Sequence, residues 1–175
     1  IDKIDYISDL GVTAVELLPI HEARFYASWG YALDSLRLIE KTLGTPKDVK
    51  LMVDELHKRK IRVILDVVIN HVNNQLLREP LTQTVHNSKY YEGNTLWGPR
   101  PRYQNIYVRK WMADSLIALI RDYHIDGLRF DMVETIYEDN PAGYTFLQEL
   151  NKLITLVHPG FNITAEQLPD NVWAT

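Results

Sequence analysis

Three short runs in this chain end at groups capable of acid–base or nucleophilic chemistry. They are Asp66-Val67-Val68-Ile69-Asn70-His71, Gly127-Leu128-Arg129-Phe130-Asp131 and Ile163-Thr164-Ala165-Glu166. Arg129 and Asp131 are two residues apart, so on a strand their side chains share a face, about 6.6 Å apart along the backbone. A guanidinium there favours the charged carboxylate and lowers its pKa. An ionised carboxylate at a strand end is what a nucleophile requires. For an arbitrary Arg-x-Asp, a structural ion pair is the commoner reading. Glu166 closes an apolar run, and partial desolvation there raises its pKa, which suits a general acid. A plain loop or helix-start glutamate is the alternative.

The elements that must hold these groups alternate regularly. Ile1, Ile4, Ile7 and Leu10 have a weak helical spacing that Gly11 ends. Val12 to Leu18 reads as a buried strand closed by Pro19. Thr45-Pro46-Lys47-Asp48 opens a helix, with a Thr cap, Pro at the first position and an acid three residues on. Val49, Met52, Val53 and Leu56 continue it as an apolar stripe. Basic Lys58, Arg59 and Lys60 suit its C-terminus.

Ile61 to Ile69 is an aliphatic run broken only by Arg62 and Asp66, as in a parallel strand covered on both faces. Residues 72–105 lose periodicity and read as a long loop on the active-site side. Helical spacing returns from Val108, and a strand follows over Ile125 to Phe130. Leu147, Leu150, Ile154 and Val157 mark another helix, and Phe161 to Ala165 the last strand. This β/α alternation implies an α/β fold with a parallel sheet or (β/α) barrel. A doubly wound open sheet is the alternative, but no Gly-rich phosphate loop follows any strand.

The 175 residues suffice for one domain with a sizeable core. Hydrophobic content of 46%, charged content of 24% and a net charge of −4 are globular values and give no reason to expect nucleic acid. Without cysteine there are no disulfides or thiolate metal sites, which fits a reducing, cytoplasmic compartment. No run of about 18 apolar residues is present, so no membrane span is expected. The first residue is Ile1, inside a helical pattern, so the chain is expected to be a piece of a longer one. His21, His57, His86, His124 and His158 have no metal-ligand spacing and read as surface or helix-cap residues.

The three acidic motifs resemble those of the α-amylase family of glycoside hydrolases and transglycosidases. Val12 to Glu22, Trp29-Gly30-Tyr31 and Gly44-Thr45-Pro46 occur in the family's order. Glu16-Leu17-Leu18-Pro19 with Trp29-Gly30-Tyr31 is most similar to glucan branching enzymes and trehalose-releasing hydrolases. The resemblance implies a partial (β/α)8 TIM barrel, about its second to fifth βα units. Residues 1–175 would form part of one catalytic domain truncated at both ends, since a full barrel typically takes about 250 residues.

It further implies that Asp131 is the nucleophile, positioned by Arg129, and Glu166 the acid/base. Asp66 would support the site, His71 would donate to sugar hydroxyls, and Asn70 would be a calcium ligand through its side-chain oxygen. No cofactor is implied as required. Tyr31 would lie against the sugar being cleaved. Trp29 is read as substrate-binding or as packing, because aromatic faces stack on sugar C–H faces. Tyr90, Tyr91, Trp97 and Tyr103 read as outer subsites or, more often, loop packing.

The implied partner is an α-glucan polysaccharide or oligosaccharide, together with the rest of the polypeptide that completes the barrel. The implied activity is a retaining reaction on α-1,4-glucans, most like branching, with hydrolysis as the alternative. A non-catalytic glucan-binding or partner barrel is the other class. Two features depart from the pattern: Lys60 stands where Gly is common, and Gln167 where many branching enzymes carry an acid. The family's fourth motif, a His-Asp pair with a third carboxylate, does not occur up to Thr175. The absence of that carboxylate puts the activity of an isolated piece with these ends in doubt.

Overall fold

The computed structural model describes residues 1–24, 28–73 and 89–168. The elements are α1 (Ile4–Asp9), β1 (Ala14–Leu17), β2 (His21–Ala23), β3 (Leu33–Ile39), α2 (Pro46–Lys58) and β4 (Arg62–Val67). They continue with β5 (Tyr91–Asn94), β6 (Pro99–Pro101), α3 (Ile106–Tyr123), β7 (Gly127–Phe130), α4 (Glu134–Tyr137), α5 (Pro141–Val157) and β8 (Asn162–Ala165).

The four aliphatic runs form one parallel sheet in the order β1-β4-β7-β8, which is chain order. This is the arc of a TIM barrel, with strands added in sequence and helices returning the chain. Val63, Leu65 and Val67 of β4 are fully buried, as expected of a strand covered on both faces. Val53, Leu56, Leu116, Leu119, Phe146, Leu150 and Ile154 supply the helical side of the same core.

Helix α2 starts where its cap residues require. Thr45 accepts from the Asp48 N–H and Asp48 accepts from the Thr45 N–H, a reciprocal capping box. Beyond its end, Lys60 has φ of 60°, in the left-handed region. That backbone is the physical reason a glycine is common at this position.

Two antiparallel hairpins, not expected from the sequence, decorate the C-terminal side of the strands. β2 pairs with β3, and β5 with β6 inside the 72–105 segment. That segment is therefore not structureless where it is described; its residues 74–88 lie outside the described residues.

Candidate active site

Parallel register places the chemical groups. Asp66 on β4 is level with Arg129 on β7, which is level with Thr164 on β8. Side chains alternate along strands, so Asp131 and Glu166, two residues further on, point the same way as that layer. Their backbones are tied: Asp131 N donates to Val67 O at 3.2 Å and Glu166 N to Phe130 O at 2.9 Å. Gly127 permits this approach, since a Cβ there would lie 3.0 Å from the Cβ and O of Asn162.

Arg129 is the hub. Its Nη1 donates to Asp66 Oδ2 at 2.6 Å and Asp131 Oδ1 at 3.1 Å, and its Nη2 pairs with Glu166 Oε1 at 2.8 Å. The other Glu166 oxygen accepts from Met132 N at 2.9 Å. Met132 has φ of 43°, strained for a side-chain-bearing residue, and the kink follows directly after Asp131. Asn70 Nδ2 donates to the Asp131 carbonyl at 2.8 Å and to Asp131 Oδ2 at 2.9 Å. The second carboxylate oxygen of the expected nucleophile is thereby fixed.

One electrostatic expectation is corrected. Arg129 does not hold Asp131 below the ordinary carboxylate range; the Asp131 pKa is raised. Burial is the largest cause, and the nearby Asp66 and Glu166 charges add to it, while Asn70 and Arg129 oppose it. Asp131 is 8% exposed, and its guanidinium is shared with two other carboxylates.

Tyr31 reaches the same cluster, donating its hydroxyl to Asp66 Oδ2 at 2.5 Å. Burial, then the Asp66 contact, push its pKa up. Gly30 seats it: at φ 92°, a Cβ there would lie 2.3 Å from Pro19 O. Trp29 is 71% exposed at the rim and is not brought into the hydrogen-bonded cluster. His71 is brought in, but with both nitrogens facing protein. Nδ1 lies against Asn70 Oδ1, and Nε2 is 3.1 Å from the Tyr31 carbonyl oxygen. Burial lowers its pKa to about 4, so the ring is neutral and its single N–H serves one of these oxygens. The expected donation to a sugar is not the geometry seen.

Asn70 does not fit a calcium ion here. Its amide nitrogen is directed at Asp131 and its oxygen at His71. Among the described residues no group of three or more His, Asp or Glu is placed to hold a metal ion. Tyr103 and Tyr91 are core residues rather than subsite walls: Tyr103 is fully buried, donates to Ile69 O at 2.7 Å and stacks on Phe146. Tyr90 and Trp97 stay about half exposed. Of the histidines, His124 and His158 are helix C-caps, and His57 pairs with Asp126 at 2.7 Å. His21 is not a surface residue: it is fully buried, and neither ring nitrogen has a partner among the described residues. His86 lies outside the described residues. Neither the pairing of Asn70 with Asp131 nor the kink at Met132 has a signal in the sequence.

The family model "Alpha amylase, catalytic domain" matches residues 1–97, more than half of the chain. The 1,4-alpha-glucan branching enzyme GlgB of Oceanobacillus iheyensis is 33% identical over 193 residues, covering 95% of this chain and 30% of that protein. The malto-oligosyltrehalose trehalohydrolase of Saccharolobus solfataricus is 33% identical over 144 residues, covering 81% of this chain and 25% of that protein. The alpha-amylase from Geobacillus thermoleovorans, complexed with acarbose, superposes with a TM-score of 0.79 at 29% identity, over 97% of this chain and 40% of that one. The chain thus spans between a quarter and a third of these curated relatives. On the family match and on the barrel arc that bears its motifs, the chain belongs to the alpha-amylase catalytic-domain family.

Proposed function

We propose that the complete protein bearing this chain is a retaining α-glucan-active enzyme, acting as a branching-type transglycosidase on α-1,4-glucans. Residues 1–175 contribute part of its barrel, residues 72–105 a loop over the site, and the remaining polypeptide closes the ring. The observation that carries the proposal is the bridging of Asp66, Asp131 and Glu166 by one guanidinium at adjacent strand ends. Neighbouring strands lie about 4.8 Å apart, so carboxylates in one layer approach the roughly 5–5.5 Å separation of retaining enzymes.

In this mechanism Asp131 attacks the anomeric carbon and the glycosidic bond breaks, while Glu166 gives its proton to the leaving oxygen. Glu166 then takes a proton from the acceptor hydroxyl, which displaces Asp131. Asn70 and Arg129 hold the two Asp131 oxygens in line, and Asp66, itself accepting from the Tyr31 hydroxyl, holds Arg129. A glucan 6-hydroxyl as acceptor yields a branch and water yields hydrolysis. The likeness to a trehalohydrolase and to an alpha-amylase favours hydrolysis as the second reading.

Incubating amylose with the full-length protein and following proton NMR tests both. New α-1,6 anomeric signals without new reducing ends support branching. New reducing ends without branches support hydrolysis. No change on any α-glucan leaves only a binding role and sinks the catalytic reading.

A further inference from the structure

The β5–β6 hairpin carries a tryptophan to the His71 corner of the site. Trp97 lies with its ring centroid 5.8 Å from that of His71, at an interplanar angle of 35°. The hairpin is fastened where it matters: Val72 N, directly after His71, donates to Pro99 O at 3.1 Å. Thr95 fixes the turn itself. Its Oγ1 accepts from Trp97 N and Gly98 N, both at 3.1 Å, and donates to Gly98 O at 2.9 Å.

The turn is held by these bonds and not by burial of the indole. Trp97 is 44% exposed, while the imidazole beneath it is 3% exposed. His71 turns both nitrogens toward protein oxygens, so the solvent-facing chemistry of this corner is the indole face. A rigidly placed indole stacks on the C–H face of a pyranose at little conformational cost.

We infer that Trp97 is an aromatic platform on which a pyranose ring of an α-glucan rests beside His71. The inference depends on the α-glucan reading above. Its test uses the full-length protein carrying Asp131→Asn, which binds without turnover, titrated calorimetrically with maltoheptaose. In that background Trp97→Leu weakens binding about tenfold, or about 1.4 kcal/mol, whereas Trp97→Phe, which keeps a ring, stays within about threefold. A second measurement does not depend on the leucine variant folding. Maltoheptaose changes the tryptophan emission of the Asp131→Asn protein, and most of that change disappears in Asp131→Asn/Trp97→Phe although binding persists. Unaltered affinity in Trp97→Leu, or an undiminished emission change in Trp97→Phe, overturns the platform alone. No maltoheptaose binding by the Asp131→Asn protein overturns the platform and the α-glucan reading together.

Discussion

Arg129 Nη2 lies 2.8 Å from Glu166 Oε1, while its Nη1 is divided between Asp66 and Asp131. One cation therefore serves three carboxylates gathered from neighbouring strands. The cluster is under-neutralised, and Asp131, the member with the weakest claim on Nη1 by distance, takes the upward pKa shift.

Asp131→Asn is expected to separate activity from stability. Turnover in the full-length enzyme falls by roughly a thousandfold or more, because the attacking oxygen is lost. Stability at pH 7 rises by of order 1 kcal/mol, since a buried charge is replaced by a neutral isostere. The sign follows from linkage. An acid whose folded pKa is raised favours the protonated fold, so its contribution is present below about 3.8 and is lost as pH climbs through the folded value. The gain from Asn therefore appears at neutral pH and fades toward pH 4. Urea unfolding at both pH values, beside the rate assay, checks this; activity within tenfold of wild type would sink the nucleophile assignment.

Arg129→Met leaves three carboxylates without their cation. Breaking a buried ion pair by removing one partner costs about 3 kcal/mol. The loss is expected at pH 7 and to shrink in acid, where protonated carboxyls need no counter-charge. Urea midpoints at pH 7 and pH 4.5 measure it. Equal losses at both pH values would assign the effect to packing rather than charge.

Much of this site could be read from strand periodicity. Residues 129, 131 and 166 fall together because parallel strands end on one side and side chains alternate, whereas the place of Asp66 beside Arg129 is implied only by the family resemblance. The partners of each group were less legible. Asn70 looked like an oxygen donor to a metal, but hydrogen-bond direction is set by three-dimensional neighbours, and its amide faces Asp131. The direction of the Asp131 shift is not legible because the sequence shows one neighbouring arginine and hides the burial, the largest cause, and the two carboxylates that share that arginine. The hairpins are hard to read from sequence because β2, β5 and β6 have only three or four residues, and β3, though seven long, does not alternate, burying Leu33, Leu36 and Ile39. Lys60 was legible as a departure, and its φ of 60° explains why.

Gly30→Ala tests how Tyr31 is seated. The new methyl would meet the Pro19 carbonyl at 2.3 Å in a backbone with φ of 92°, so the Trp-Gly-Tyr turn must shift. Displacing the Tyr31 hydroxyl from Asp66 loosens the hold on Arg129. The full-length enzyme is expected to lose about tenfold in kcat/KM with its secondary structure intact, a loss typical of a small misplacement near the chemistry. Unchanged kcat/KM would show that the turn absorbs the methyl without moving Tyr31.

His21 offers the clearest pH signature outside the site. It is fully buried, neither nitrogen finds a partner among the described residues, and burial lowers its pKa to about 4. The unfolded chain binds a proton near pH 6.5 that the folded chain refuses until about pH 4, so stability is fully present above 6.5 and declines as pH falls through that window. The span corresponds to about 3 kcal/mol. His71, lowered to about 4 by burial, acts in the same sense and leaves a residual slope when His21 is removed. His21→Leu removes an unpaired buried donor and acceptor along with the titration. The variant is expected to be about 1–2 kcal/mol more stable at pH 7, with a visibly flatter stability profile between pH 6.5 and 4. Chemical denaturation at half-unit pH steps measures both effects. A profile parallel to wild type would mean that the His21 ring is hydrated or partnered and carries no linkage.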